Sequence, residues 1–124
     1  MKINSYVLSD KANVLGTEYK FFYDTEDTDP KMKNADGYCE VCAKEIHINR
    51  SLFEQGSGDT LQLRRLDIYG RKVIRHEIIH AFIHESGLWE CCEWAKNEEL
   101  TDWIARQFPK MMKCFEDAGA LKGA

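Results

Sequence analysis

One apolar segment in the second half of the chain constrains the fold most, because two histidines occur in it at helical spacing. His76 and His80 are four residues apart, and Glu77 directly follows the first of them. Residues i and i+4 lie on the same face of an α-helix, so both imidazoles can reach a single ion. The residues around them predict a helix that is buried on most sides; they are Val73, Ile74, Ile78, Ile79, Phe82 and Ile83.

The His-Glu-x-x-His pattern at 76–80 is typical of zinc-dependent hydrolases. A catalytic zinc ion takes three protein ligands and keeps one position open for water. The carboxylate of Glu77 is placed to act on that water as a general base. The segment therefore predicts one zinc ion per chain, held by His76, His80 and a third ligand elsewhere.

The third ligand is expected on a second helix, from Asn97 to Phe108. Glu98 and Asp102 are four residues apart and share a face of this helix. Glu98 is the predicted ligand, and Asp102 is expected to accept a hydrogen bond from the far nitrogen of a ligating histidine, as carboxylates next to metal sites commonly do. Glu99 points about 100° away around the helix. The alternatives for the third ligand are Glu99, Glu93 and Glu90.

The motif at 76–80, followed by Asn-Glu-x-x-Thr-Asp at 97–102, resembles the gluzincin arrangement. In that family the second helix carries Asn-Glu-x-x-Ser-Asp, so the threonine here departs mildly from the pattern. The resemblance covers about the C-terminal half of the chain and is closest to compact phage-type members of the ImmA/IrrE-like metallopeptidases. It implies a minimal zincin-like metallo-endopeptidase that cleaves a peptide or protein segment.

Two further functions fit the same residues. The first is a phage- or mobile-element-encoded binding protein with a structural zinc ion and little or no catalysis. The second is hydrolysis of a non-peptide amide. Metal binding is common to all of them, but only an enzyme needs Glu77. The sequence does not specify the substrate or the oligomeric state.

The composition limits the classes of partner and the cellular location that are expected. The chain has 124 residues, enough for a single domain, of which 44% are hydrophobic and 31% charged. A net charge of −4 gives no reason to expect nucleic-acid or membrane partners. Without an apolar segment of transmembrane length or a signal peptide, a cytoplasmic protein is expected. Its five cysteines, including Cys39-x-x-Cys42 and Cys91-Cys92, are accordingly expected to be reduced thiols.

The order of the predicted elements favours an α+β fold, with a small antiparallel sheet packed on two helices. Residues 1–58 are expected to form the sheet and loops, and residues 59–118 the helical zinc-binding part. Strands are predicted at 2–8, 17–23 and 38–49, with a hairpin turn at 43–44, a turn or short helical piece at 10–16 and an exposed loop at 24–37.

The active-site helix is expected to begin at an N-cap at Asp59 or Thr60 and to end near Ser86, before a stop at Gly87. A bend or break is expected at Gly70. Pro109 is expected either to end the second helix or to open a final one over 110–117.

Other residues are weaker candidates for the site. Tyr38 and His47 are candidate oxyanion contacts, and His84, one turn past His80, is a candidate substrate contact. The segment Glu45–Asn49 is predicted to be an edge strand that an extended peptide could join. Core packing is expected for Trp89, Trp94 and Trp103.

Overall fold

The computed structural model describes residues 2–3, 6–53 and 60–123, with side chains over 8–53 and 68–123. It confirms an α+β architecture in which strands come first and helices follow. The strands are β1 (Lys2–Ile3), β2 (Tyr6–Val7), β3 (Lys11–Val14), β4 (Thr17–Asp24), β5 (Gly37–Glu40) and β6 (Glu45–Asn49). The α-helices are α1 (Thr60–Glu85), α2 (Leu88–Cys91) and α3 (Glu98–Asp117), and short 3-10 helices lie at Pro30–Lys33, Arg50–Leu52 and Glu93–Lys96.

The main sheet is mixed, so the expectation of an antiparallel sheet was wrong. Its strand order is β3-β4-β6-β5, and β4 pairs with β6 in parallel while the two outer pairs are antiparallel. After β4 the chain crosses over through residues 25–36 and β5 before β6 returns beside β4. The crossover, expected to be an exposed loop, contains a 3-10 helix and buries Met32, which is 3% exposed.

The predicted edge strand is internal. β6 lies between β4 and β5, and its two isoleucines, Ile46 and Ile48, are fully buried. Burial of the apolar face of β6 is most complete when a strand lies on each side of it. The second of these neighbours is β5, which follows the crossover. The free edge on this side of the sheet therefore belongs to β5.

The predictions for residues 2–8 and 10–16 also need correction. The segment predicted as one strand over 2–8 forms two short antiparallel strands, β1 and β2. The piece predicted as a turn or helix over 10–16 is mostly strand, since β3 pairs with β4 across a two-residue turn at Leu15–Gly16. Both turn residues have positive φ, 51° and 92°, as a type I′ hairpin requires. The strands predicted at 17–23 and 38–49 are confirmed, the latter as the hairpin of β5 and β6.

Helix α1 crosses one face of the sheet and contacts β3, β5 and β6. The break expected at Gly70 is absent, since α1 runs through it, and the glycine allows close packing against Phe53. A Cβ atom there would lie 2.6 Å from Cζ of Phe53, which is 1% exposed. The expected stop is confirmed, with Gly87 at φ 81°. The expected N-cap at Asp59 or Thr60 lies outside the described side chains.

Pro109 lies inside α3 and neither ends this helix nor starts another. A proline lacks the N–H that would bond to the carbonyl four residues earlier, here that of Ala105. Arg75 on α1 supplies a donor in its place, since its Nε lies 2.7 Å from the Ala105 carbonyl oxygen. The helix continues to Asp117, and the carbonyl of Ala105 keeps a hydrogen-bond partner.

Core packing was expected for three tryptophans, and for two of them this prediction was wrong. Trp94 and Trp103 are each 55% exposed and are not core residues. Trp89 is half-buried and stacks on His84, with ring centroids 4.5 Å apart.

Among the described residues, no helix is long and apolar enough to cross a membrane.

Candidate metal centre

Three predicted ligands converge at the interface of α1 and α3. Nε2 of His76 lies 3.2 Å from Nε2 of His80. The carboxylate of Glu98 faces both rings, with Oε2 2.9 Å from His76 Nε2 and Oε1 2.9 Å from His80 Nε2. These three side chains form a group that could hold a metal ion.

The separations of the three ligand atoms match a tetrahedral site. Zinc–nitrogen bonds of about 2.0–2.1 Å place the corners of a tetrahedron roughly 3.3 Å apart. With Glu98 Oε2 as the third atom, the observed separations of 2.9–3.2 Å are close to that length. Two imidazoles and one carboxylate are also a donor set that zinc accepts, so the residues fit a zinc ion.

Local sequence explains why Glu98 reaches this point. Asn97 caps α3, with its side-chain oxygen accepting a hydrogen bond from the backbone N–H of Leu100 at 2.8 Å. Glu98 is consequently the first residue of the helix, where a carboxylate is favoured by the helix dipole. Its side chain is 66% exposed, whereas those of His76 and His80 are 15% and 12% exposed. The site therefore opens to solvent on the Glu98 side.

Asp102 fixes the orientation of the first histidine. Its Oδ1 lies 3.2 Å from Nδ1 of His76. An ionised carboxylate only accepts hydrogen bonds, so Nδ1 must donate and the lone pair of Nε2 points at the other two ligands. Burial alone would raise the pKa of Asp102, but hydrogen bonds from Lys72 and Arg106 outweigh it and hold the pKa well below its usual range.

Glu77 is buried beside the ligands, with 7% of its surface exposed. Burial raises the pKa of its carboxyl to about 7; His76, a cation when protonated, opposes this rise, and the negative charge of Glu98 adds to it. Burial also lowers the pKa of His80, which favours the neutral imidazole that metals bind.

A cavity of about 360 Å³ connects these residues to the free edge of the sheet. Strand β5 forms one wall through Gly37, Tyr38 and Cys39, and His84 with Trp89 forms another. His84, the candidate substrate contact, therefore lines the same cavity as the ligand group. The glycine permits close approach, since a Cβ atom at Gly37 would lie 2.9 Å from the His47 carbonyl oxygen and 3.0 Å from Val73.

Neither candidate oxyanion contact directs its polar atoms into this cavity. Tyr38 borders it, but its ring stacks on His47 and its hydroxyl donates a hydrogen bond to Asp29. His47 does not line it; the two isoleucines that flank it in β6 face the core, so its own ring lies on the opposite face of the sheet. The alternation of side chains along the strand decides this placement.

His47 belongs to a second group that could hold a metal ion, with Asp24 and Asp29. Its Nδ1 lies 2.8 Å from Asp24 Oδ2, and its Nε2 lies 2.8 Å from Glu45 Oε1. The ring is also stacked between Phe22 and Tyr38. Carboxylates therefore already contact both ring nitrogens.

The alternative third ligands do not join the histidines. Glu93 is 94% exposed and lies 3.7 Å from Lys96, while Glu90 is exposed at the end of α2. Glu99 lines a second cavity of about 460 Å³, which His76, Glu98 and Trp103 also border, but it is not in the group that could hold a metal ion. Sequence reasoning missed three residues of the site. Lys72, one helical turn before His76, and Arg106, one turn after Asp102, both donate to Asp102. Cys39 lies in the cavity wall.

Comparison with known proteins adds no relative: neither a family model, nor a curated protein, nor a solved structure matches this chain. The cysteines are as expected, since all five are free thiols.

Proposed function

We propose that this protein is a zinc-dependent peptidase of the gluzincin type. The observation that carries the proposal is the convergence of two Nε2 atoms and the Glu98 carboxylate within 2.9–3.2 Å of one another. Such close packing of three unprotonated ligand atoms is unfavourable unless a cation or shared protons lie between them, and zinc fits the donor set. Bound there, zinc would polarise a water molecule and the scissile carbonyl.

The remaining chemistry is assigned to Glu77. Its carboxylate takes a proton from the attacking water and passes it to the amide nitrogen as the bond from carbonyl carbon to nitrogen breaks. Burial in the cavity wall keeps this carboxyl close to the reaction and away from bulk solvent. Asp102 holds the His76 ring in the tautomer that leaves Nε2 free.

Strand β5 supports a peptide as the substrate. It is one of the two edge strands of the main sheet, as described, and it borders the cavity beside the ligands. An extended peptide can add to such an edge through backbone hydrogen bonds, which would bring one peptide bond over the ligand group. This role was expected for Glu45–Asn49, and the strand order transfers it to Gly37–Glu40.

The first test is the zinc content of the purified protein, measured by elemental analysis for the wild type, Glu98→Ala and Glu99→Ala. We expect one zinc ion per chain in the wild type and in Glu99→Ala, and a marked loss in Glu98→Ala. Glu99→Ala is a matched control because it removes a neighbouring carboxylate that belongs neither to the ligand group nor to the lining of the cavity beside Glu77. A wild type without metal after growth in zinc would overturn the proposal.

The second test separates catalysis from metal binding. Glu77→Gln should keep its zinc but hydrolyse a quenched-fluorescence peptide library at least about 100-fold more slowly, as expected for loss of a general base. Equal rates for wild type and variant would exclude Glu77 from the reaction.

A binding protein with a structural zinc ion is the second candidate. It is favoured by the positions of Tyr38 and His47, neither of which offers a polar atom to a tetrahedral intermediate. A zinc-loaded wild type that cleaves no member of the library would support this function instead.

A further inference from the structure

Asp102 is the meeting point of three basic side chains from two helices. On α1, Nζ of Lys72 lies 2.7 Å from Asp102 Oδ1, and Nδ1 of His76 lies 3.2 Å from the same oxygen. On α3, Nε of Arg106 lies 2.7 Å from the other oxygen, Oδ2. Both carboxylate oxygens are therefore engaged, and the one shared with His76 is also held by Lys72.

Lys72 is unusual in being a buried cation, with 9% of the residue exposed. Its Nζ lies 4.6 Å from the centroid of the Tyr69 ring, so its surroundings are partly aromatic. A buried ammonium group is costly unless an anion pairs with it, and Asp102 provides that anion. The pair joins α1 to α3 one helical turn from the ligand on each helix, because Lys72 precedes His76 by four residues and Asp102 follows Glu98 by four.

The two cations pull the carboxylate in different directions. Arg106 is on the same helix as Asp102, and its side chain is 58% exposed, so it draws the carboxylate toward the solvent side of α3. Lys72 draws it toward α1, where His76 is. Without Lys72, the carboxylate would be free to rotate toward Arg106 and leave His76 Nδ1 without its acceptor.

We propose that Lys72 is a positioning residue of the metal centre, which acts through Asp102. It holds Oδ1 against His76 Nδ1, and thereby keeps the Nε2 lone pair directed at the ligand group. By fixing Asp102 against α1, it also sets the position of Glu98 one turn earlier on α3. The inference rests on the proposed metal site, but it makes a separate claim about a residue that touches neither the metal nor a substrate.

The test is a double-mutant cycle in Co²⁺ affinity, measured by competition with a chelator. Lys72→Met removes the charge and keeps the length of the side chain, and Asp102→Asn removes the charged acceptor. We expect each single variant to bind Co²⁺ about 10–100-fold more weakly, the usual cost of losing a partner behind a ligand. If Lys72 acts through Asp102, the double variant should bind no more weakly than Asp102→Asn alone.

Two variants control for effects of charge and folding. Lys113→Met removes an exposed lysine that pairs with Asp117 on α3, far from the ligands in sequence, and should leave the affinity unchanged. Lys72→Arg retains the cation and should recover most of the affinity. If Lys72→Met proves unfolded by circular dichroism, Lys72→Gln takes its place in the cycle.

The outcomes distinguish the two proposals. A wild type that binds Co²⁺ together with an unaffected Lys72→Met would overturn the role of Lys72 and leave the metal site intact. Additive losses in the double variant would likewise overturn a role through Asp102. A wild type that binds neither Co²⁺ nor zinc would overturn both proposals.

The absorption spectrum of the Co²⁺ form gives a further readout. A change in ligand geometry in Lys72→Met alters the d–d bands, whereas a purely structural role of Lys72 leaves them as in the wild type.

Discussion

The side chain of Arg75 donates a hydrogen bond to the backbone carbonyl of Ala105, across the interface between α1 and α3, with an Nε–O distance of 2.7 Å. This carbonyl is available because Pro109, four residues later, has no N–H to offer it. A residue that interrupts the hydrogen bonding of one helix thus provides an acceptor for its neighbour. Burial lowers the pKa of the Arg75 guanidinium, an effect to which the charge of Arg71 adds, as expected for a cation held between helices.

Removing the Arg75 donor should therefore destabilise the protein, by an amount that depends on Pro109. We expect Arg75→Met to lower the free energy of unfolding by about 1–3 kcal/mol, the cost of leaving a buried acceptor unbonded. In the Pro109→Ala background the new backbone N–H can take the carbonyl, so the same change should cost less. Urea denaturation of the four proteins measures both losses. Equal losses in the two backgrounds would contradict this account of the interface.

Metal removal should lower the stability of the protein, because the ligand group joins α1 to α3. At a free zinc concentration 100 times the dissociation constant, binding contributes about 2.7 kcal/mol to the folded state. The melting temperature should fall when a chelator is added to the wild type or to Glu99→Ala. In Glu98→Ala the chelator should have much less effect, and a full shift in that variant would show that the ion binds elsewhere.

The carboxylate of Glu85 should make stability depend on pH below neutrality. It accepts hydrogen bonds from Lys44 at 2.6 Å and from Tyr19 at 2.8 Å, and these, the Lys44 bond first, lower its pKa from the usual 4.5. A carboxyl with a depressed folded pKa stabilises fully above its unfolded pKa and loses that contribution as the pH falls through the folded value.

We accordingly expect Glu85→Gln to be less stable than the wild type at pH 7. The difference should shrink as the pH is lowered below about 4.5, because the carboxyl is then protonated first in the unfolded chain and, at lower pH, in the folded protein. Thermal unfolding between pH 7 and pH 3 measures the difference, with Glu116→Gln, at an exposed position on α3, as the control. A difference that stayed constant over this range would rule out the ionised carboxylate as its source.

Gly70→Ala should destabilise α1 even though alanine is the better helix former. The added Cβ would lie 2.6 Å from Cζ and 2.8 Å from Cε1 of Phe53. The resulting overpacking costs about 1–3 kcal/mol, while the gain in helix propensity is at most about 1 kcal/mol. Denaturant unfolding should show a net loss in the wild-type background. With Phe53→Leu, which makes room, the same change should become neutral or stabilising; a loss of equal size there would point to another cause.

Sequence reasoning worked best where the interactions are local. The i, i+4 spacing of His76 and His80 determines the face that they share, and Asn97 as an N-cap determines where Glu98 begins its helix. These relationships span one or two helical turns and depend little on the rest of the chain. The ligand group could therefore be predicted before the fold was known.

Errors arose where the outcome depends on distant residues. Nothing within Glu45–Asn49 indicates that Thr17–Asp24 will pair with it in parallel, so its internal position could not be read from its own alternation. The side of the sheet on which His47 lies depends on the same pairing. Pro109 likewise reads as a helix terminator until Arg75 is known to contact Ala105.

The positions of the proposed zinc ligands along the chain predict an order of assembly. Joining His80 to Glu98 closes a loop of 18 residues (98 − 80), at an entropic cost of roughly 2.6 kcal/mol plus a constant. The parallel pairing of β4 with β6 requires the whole crossover to be in place first, and contacts of that kind form slowly. Zinc present at the start of refolding should therefore accelerate formation of the helical half and leave the slower pairing of the sheet unchanged, which stopped-flow refolding with pulsed amide exchange can resolve. An ion proposed for catalysis would in that case also act as a folding nucleus.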